Sequence, residues 1–267
     1  MEEEKKPTWK RHEKKEQTKN LLIWAFVIGV FIWGASYLDF RFDRVLRARH
    51  PLSNFLGRMM PPDIQYIPGN IIYPLIETIQ MAFLGTLLGI ILAIPVTWFA
   101  AYNISPFKPL SYYIGRFLTV FARSVHVFIW GMILVAILGF GPLPGVIALG
   151  VFSVGFLGKT WSEEIENIDW NQVEAIEATG ANWLQVIFFG VIPQFIPAFV
   201  GLSIYRWDIN LRASAVLGIV GAGGLGFELM FTINRLAYSR TAAVLLVIII
   251  VVIFSEALSA YIRGKFV

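Results

Sequence analysis

Long apolar stretches separated by short polar segments dominate the chain. Membrane spans are predicted at roughly 21–38, 71–102, 113–139, 145–160, 184–205 and 241–262. A bilayer is crossed by about 20 consecutive apolar residues in a helix, so these stretches are close to the required length. The alternating segments of about ten residues that a membrane β-barrel needs are missing from the sequence. The pattern therefore predicts an all-α polytopic membrane protein with about six transmembrane helices.

Proline and glycine indicate where these helices bend or end. Pro95 predicts a kink in the second span. The glycines and prolines of 139–145 predict a tight turn, and Pro193 and Pro197 predict a bent or broken fifth span. The uncharged segment 213–227 is short for a crossing, so we interpret it as a partial or re-entrant segment. Its candidate gate or packing glycines are Gly218, Gly221, Gly223 and Gly224.

The polar segments suggest how the chain is divided. A charged tail (1–20) precedes the first transmembrane helix (21–38), an external loop (39–70) follows, and the remaining residues, 71–267, form the core. Lysine and arginine are in modest excess on the side of the tail, although the loop carries five arginines. We therefore predict that both termini are cytoplasmic.

Composition narrows the class of protein. Hydrophobic residues make up 57% of the 267 residues, charged residues 15%, and the mean hydropathy is +0.65, which excludes a soluble domain of this length. Cysteine is absent, which excludes disulfides and thiolate metal ligands. His12, His50 and His126 are widely separated, so we predict no metal site. The net charge of +4 lies mainly beside the spans, and nucleic acid is not an expected partner.

An acidic amphipathic segment, 169–183, lies between the fourth and fifth spans. It contains Glu174-Ala175-Ile176-Glu177-Ala178-Thr179-Gly180, followed nine residues later by Gly190-Val191-Ile192-Pro193. The alanines allow another helix to approach closely, the glutamates offer charge-assisted hydrogen bonds, and Gly180 permits a sharp turn. The segment is therefore a candidate docking surface for another protein, with an ordinary acidic loop helix as the alternative.

This segment resembles the EAA motif of ATP-binding-cassette (ABC) importer permeases, from which it departs at Ile176 and Gly190. Similarity to the phosphonate permease family extends over further blocks in the family's order, namely Leu75 to Ala82, Ala122 to Val125, Gly139 to Gly145 and Ser214 to Gly226. The resemblance implies the transmembrane domain of a type I ABC importer in the cell inner membrane, with a cytoplasmic coupling helix near 169–183. It assigns the ATPase-coupling role to Glu174, Ala175, Glu177, Ala178, Gly180 and Pro193.

The resemblance also implies a function and a set of partners. The chain is expected to be the permease subunit for phosphonate or a related small phosphorus oxyanion, and to work by alternating access. The expected partners are an ABC ATPase subunit, an extracytoplasmic solute-binding protein, a second permease copy forming a homodimer, and the lipid bilayer. ATP and magnesium are expected on the ATPase, with no cofactor in this chain.

Other functions stay open at this point. The same architecture serves importers of other small solutes, such as methionine or phosphate, and a channel or carrier without an ATPase is a further alternative. An enzyme is not expected, because no constellation of side chains with catalytic spacing occurs, and no catalytic residue is assigned. The GxGxxG pattern at 221–226 lacks the preceding strand and the later acidic residue of a dinucleotide site.

Ionisable and polar side chains within the spans are candidates for the translocation pathway. These candidates are Arg123, His126, Asn210, Arg212 and Ser214. The alternative is structural, because Arg206 or Arg212 is able to pair with Asp208. We further expect the binding protein to dock on an outer face formed by 39–70 and 206–212, and Trp161, Trp170 and Trp183 to be interfacial anchors.

Overall fold

The computed structural model describes residues 14–38, 43, 47 and 49–266. The chain divides after Gly57 into two units. In the first, helix α1 (Lys14–Tyr37) covers the predicted first span, and its apolar side chains from Leu21 onward are exposed. Helix α2 (Arg49–Met59) follows. Most of the predicted tail (1–13) and much of the predicted external loop (39–42, 44–46 and 48) lie outside the described residues.

The second unit, Arg58–Val267, is a helical bundle. Its helices are α3 (Ile72–Ala100), α4 (Leu110–Ser124), α5 (Val127–Leu138), α6 (Pro142–Glu166), α7 (Trp170–Glu177), α8 (Trp183–Val186), α9 (Ile192–Leu217), α10 (Gly224–Asn234) and α11 (Tyr238–Phe266). Wide π-helical turns occupy Ile67–Ile71 and Ile187–Val191, and Gly218–Ala222 contains a kink at Gly221. Within the described residues, five helices are long and apolar enough to cross a membrane, or six if α4 and α5 form one bent span.

The core of this unit is the contact between α3 and α6, the most extensive helix pair in the fold. A Cβ atom at Gly85 would lie 2.6 Å from Leu149 Cβ, and one at Gly89 would lie 2.3 Å from Ser153 Cβ. The two glycines therefore allow the backbones of α3 and α6 to approach more closely than any larger residue permits.

The predicted third span, 113–139, is not one helix. It consists of α4 and α5, which meet at an angle of 83°. Val125 is extended (ψ 126°), and His126 caps α5 by accepting a hydrogen bond from the Phe128 amide through Nδ1 (3.3 Å). Arg123 and His126, which were expected inside one straight span, lie on either side of the break between the two helices.

The predicted fifth span ends later than expected. Instead of stopping near Tyr205, the helical run that includes α8 and α9 continues from Trp183 to Ala222, with Pro197 inside α9. Arg206 and Asp208 are each only 2% exposed, and Asn210 is fully buried. The expectation that 206–212 forms part of an exposed outer face is therefore wrong, since these side chains lie inside the bundle.

The glycine-rich segment forms a tight, closely packed turn. Gly221 (φ +99°) and Gly223 (φ +83°) adopt a backbone conformation that other residues avoid. A Cβ at Gly221 would lie 2.4 Å from the Phe140 ring, and the Gly141 amide donates to the Gly221 carbonyl (3.0 Å). The structure divides the predicted segment 213–227 between the end of α9, this turn and the start of α10. The 11 residues of α10 extend only about 16 Å, about half the hydrocarbon thickness.

The start of α10 is attached to α3. The Gly224 amide donates to Glu77 Oε2 (3.0 Å), and the Leu225 amide donates to Thr78 Oγ1 (2.8 Å). These two side chains satisfy amides that the first turn of a helix leaves free. Sequence analysis missed both residues, because the contact joins positions about 147 residues apart.

Candidate functional site

The candidate coupling helix, α7, begins at a well-formed N-cap. Asp169 accepts hydrogen bonds from the Asn171 amide (3.1 Å) and from Gln172 Nε2 (3.0 Å). These bonds stabilise the ionised carboxylate and hold the pKa of Asp169 below its ordinary value. The bond from the Gln172 side chain is the larger cause, followed by the bond from the Asn171 amide. The predicted segment 169–183 thus contains a short helix with a defined start.

One face of α7 is anchored on the bundle. Val173 is 1% exposed and packs in an apolar cluster with Ile165, Val186 and Val191. A Cβ at Gly190 would make ordinary contacts with Val173 and Ile176 at 3.4–3.5 Å, so the wide turn after α8 lies directly against α7. The spacing of the motif therefore has a structural role, because the turn that contains Gly190 packs against the helix that carries Glu174 and Glu177.

Gln194 joins α7 to α9 through polar contacts. Its Oε1 atom accepts a hydrogen bond from the Asp169 amide (3.0 Å), and its Nε2 atom donates to the Gly190 carbonyl (2.8 Å). Sequence analysis did not identify Gln194. The only available signal was its place one residue after Pro193, and that position does not show that the side chain points toward α7.

The opposite face of α7 is exposed. Among the predicted coupling residues, Glu174, Ala175, Glu177, Ala178, Gly180 and Pro193 are all exposed. Gly180 has φ +81°, and no atom lies within 4 Å of a Cβ built on it. The chain therefore turns sharply after α7 without enclosing Gly180, and α7 presents two carboxylates and two alanines to the surroundings.

A second polar connection fixes the approach to α7. Arg116 of α4 donates from Nη2 to both carboxylate oxygens of Glu166 at the end of α6, with both distances 2.9 Å. The Tyr102 amide also donates to Glu166 Oε1 (2.8 Å), and Trp170 Nε1 donates to its carbonyl (3.3 Å). Glu166 therefore joins the end of α6 to the middle of α4, to the segment after α3 and to the first turn of α7.

A buried polar cluster occupies the middle of α9. Asn210 Nδ2 donates to Thr86 Oγ1 and to Ser153 Oγ, both at 2.9 Å. Arg206 Nε also donates to Ser153 Oγ (2.8 Å). The Arg206 guanidinium lies over the Phe152 ring, 4.8 Å from its centre, and makes no ion pair with a carboxylate of the described residues. The interior of this unit thus holds one uncompensated positive charge.

The predicted pathway residues fall into three groups. His126 and Arg212 line one cavity of about 290 Å³ together with Phe152, whereas Asn210 and Ser214 are fully buried in the bundle. Arg123 is exposed at the end of α4. Arg212 also has the structural role considered above, because it is Arg212, and not Arg206, that pairs with Asp208 (2.5 Å).

No group of three or more histidine, aspartate or glutamate side chains converges as a metal site anywhere in the part of the chain that the structure describes. Asp208 and Glu77 are instead used in an ion pair and a helix cap, and Arg206 bonds to Ser153.

Comparison with known proteins places the chain in a family. Residues 85–266 match the model of the binding-protein-dependent transport system inner membrane component. The phosphite transport system permease protein PtxC of Stutzerimonas stutzeri is 42% identical over 91% of this chain and 88% of its own length. The phosphate-import permease protein PhnE of Mycolicibacterium smegmatis is 37% identical over 81% of this chain but only 41% of its own greater length.

Solved structures agree on the fold. One chain of an inward-facing structure of the MetNI methionine ABC transporter superposes with a TM-score of 0.60, at 21% identity, over 72% of this chain and 93% of its own. A chain of an amino acid ABC transporter gives a TM-score of 0.61 at 17% identity, over 73% of this chain and 92% of its own length. The expected type I importer fold and the expected family are therefore confirmed. This chain belongs to the family of binding-protein-dependent transport system inner membrane components and, within it, resembles the permeases of phosphite and phosphonate ABC importers.

Proposed function

We propose that this chain is the permease subunit of an ATP-driven importer for phosphite, phosphonate or a related small phosphorus oxyanion. The observation that carries the substrate class is the 42% identity to a phosphite permease over 91% of the chain. The permease named for phosphate import shares the same substrate chemistry, a small tetrahedral anion. An importer for methionine is less favoured, because the methionine permease of Pasteurella multocida is only 24% identical.

Coupling to ATP hydrolysis is assigned to α7. A separate ATPase subunit, which holds ATP and magnesium, receives the exposed face formed by Glu174, Ala175, Glu177 and Ala178. The anchorage of α7 through Val173 and Gln194 supports this role, because a movement of the ATPase can reach the transmembrane helices only if α7 is fixed to them. With α7 at the cytoplasmic side, both chain termini are cytoplasmic.

The pathway would form where two copies of the chain meet. His126 and Arg212 line a cavity and offer a donor and a positive charge to an anion. Arg123, exposed at the end of α4, adds a second positive charge, whereas Asn210 and Ser214 are buried in the bundle and support α9. The turn at Gly218, Gly221, Gly223 and Gly224 serves as a gate that rocks with α9. An extracytoplasmic binding protein would deliver the oxyanion to the outer mouth.

ATP hydrolysis by the reconstituted complex tests the proposal. The chain is combined in proteoliposomes with its candidate ATPase and binding protein, and phosphite, methylphosphonate, phosphate and methionine are compared. Stimulation by a phosphorus oxyanion only with the binding protein present is the expected result. Stimulation by methionine alone would refute the substrate class, and solute flux without any ATPase would refute the importer mechanism.

The coupling role is tested separately with Gly180→Asp. The variant is expected to insert normally and lose coupled uptake, because it adds a charge at the docking surface and a side chain at a positive φ. Gly180→Asn is the matched control, since asparagine tolerates this conformation and carries no charge. Uptake of labelled phosphite per inserted protein is measured, and wild-type uptake by Gly180→Asp would contradict the assignment.

A further inference from the structure

Arg206 carries a positive charge in the interior of the bundle that no acidic side chain of the described residues neutralises. The residue is only 2% exposed, and its Nη2 atom has no hydrogen-bond partner within the described chain. It is held by the hydrogen bond to Ser153 and by the rings of Phe152 and Phe156, whose centres lie 4.8 and 5.4 Å from the guanidinium. A buried charge without a counter-ion is costly, so stability alone does not account for it.

This charge lies next to the cavity that His126 and Arg212 line. Positions 209, 213 and 216 of α9 also line the cavity, and they fall on the same face of the helix as position 206, which is one turn before them. Phe152 joins the two places, because its ring lies against the Arg206 guanidinium and also lines the cavity. An anion in contact with Phe152 would therefore lie within about 10 Å of the Arg206 charge.

The charged groups around Arg212 do not supply a net positive charge themselves. Arg212 pairs with Asp208 at 2.5 Å, and Glu256 approaches it at 3.9 Å. One positive and two negative side chains leave one net negative charge, which by itself repels an anion. Arg123 has no carboxylate partner among the described residues either, but it is exposed at the end of α4, so solvent weakens its field.

We propose that Arg206 determines the charge selectivity of the translocation pathway, because its buried charge attracts the phosphorus oxyanion to the cavity without touching it. The inference rests on the proposed function, since it takes the cavity of His126 and Arg212 as part of the pathway. A charge in an apolar interior is screened less than one at the surface, so its field extends past the Phe152 ring.

The size of the effect follows from the distance. At an effective dielectric constant of about 20, one charge at about 10 Å favours a monoanion by roughly 15-fold. A dianion gains more, because the interaction scales with its charge, whereas a zwitterion such as methionine gains little. Arg206 thus distinguishes solutes by their net charge, in the way that fixed charges beside a pore do.

Uptake of labelled phosphite tests the proposal. The full-length chain is reconstituted in proteoliposomes with its candidate ATPase and a saturating amount of loaded binding protein, so that the affinity of the binding protein does not limit the rate. Arg206→Met removes the charge, suits an apolar interior, and is expected to lower uptake per inserted protein roughly tenfold or more. Arg206→Lys keeps the charge and is expected to retain most of the uptake.

Two further variants separate the charge from the packing. Ser153→Ala removes the hydrogen bond to Arg206 Nε but leaves the charge, so it is expected to retain most of the uptake. Arg206→Met/Asp208→Asn removes one positive and one negative charge and leaves Arg212 without its close partner, so uptake should rise several-fold above that of Arg206→Met. A structural role predicts the opposite, because the double variant loses the contacts of both residues.

The melting temperature in detergent shows whether each variant is folded. Uptake by Arg206→Met close to that of the wild type, an equal loss in Arg206→Lys, or no recovery in the double variant would overturn the inference while leaving the proposed function intact. If the wild-type complex takes up no phosphorus oxyanion, the proposed function is refuted and the inference is refuted with it.

Discussion

Replacing Gln194 by methionine isolates the polar contacts that hold α7 against α9. Methionine keeps the length of the side chain but loses both good hydrogen bonds, from the Asp169 amide (3.0 Å) and to the Gly190 carbonyl (2.8 Å). Gly190 precedes Gln194 by four residues on the same helical run, so only the bond from the Asp169 amide joins α9 to α7. A neutral hydrogen bond contributes about 1 kcal/mol net, so α7 should lose about 1 kcal/mol of local stability. Because 1.4 kcal/mol is about a tenfold change, local opening should become about fivefold more frequent.

Hydrogen exchange is the assay for this loss. The amides of Trp170–Glu177 are followed by mass spectrometry in the reconstituted wild-type and variant proteins, and they should exchange about fivefold faster in Gln194→Met. Gln172→Met is the matched control, because it loses one bond to the Asp169 side chain (3.0 Å) and leaves α7 joined to α9. Unchanged exchange in Gln194→Met would refute the reasoning, and equal acceleration in α3 and α6 would show a global effect instead.

Three further changes test other parts of the structure. Gly226→Ala places a Cβ 1.8 Å from a backbone carbonyl of α9 and should lower the melting temperature in detergent, whereas Gly264→Ala, with no atom within 4 Å, should not. Asp169 has a lowered pKa, so its stabilisation of α7 is present above the ordinary pKa of 3.8 and is lost as the pH falls through the pKa of the folded protein. Amide hydrogen exchange at the start of α7 should therefore accelerate in acid, and Asp169→Asn should abolish this dependence on pH. Arg116→Met should destabilise the bundle by about 1.5–3 kcal/mol, because Glu166 loses its ion-pair partner. Denaturation should show a smaller loss in the double variant Arg116→Met/Glu166→Gln, because the two side chains are coupled.

The sequence predicted elements whose signal is local. Apart from the end of the fifth span, the apolar runs located the spans within a few residues, because hydrophobicity over about 20 residues decides whether a helix enters a membrane. The acidic segment 169–183 contains α7, since its N-cap and amphipathic pattern lie within a dozen residues. The interruption after α9 lies within the glycine-rich segment 213–227, because Gly221, Gly223 and Gly224 adopt positive φ there.

Tertiary structure decided which way each side chain points. The segment 206–212 carries charges that indicated an exposed loop, yet Arg206 and Asp208 are buried because Ser153 and Ser255 on other helices accept and donate hydrogen bonds there. Gln194 and Glu77 gained their roles in the same way, from partners 25 and 147 residues distant. Pairing between remote segments leaves no periodic mark on the sequence.

By itself, then, the sequence determined the family, the approximate positions of most apolar spans and the position of α7, since each follows from short-range pattern and composition. Only the folded bundle determined that the third span breaks at His126, that Arg212 is the partner of Asp208, and that Trp161 is buried at an apolar cavity. The physical reason is that the role of a buried polar group depends on whether a neighbouring residue forms a hydrogen bond or an ion pair with it. That neighbour is brought near by helix packing, which the order of residues along one helix does not specify.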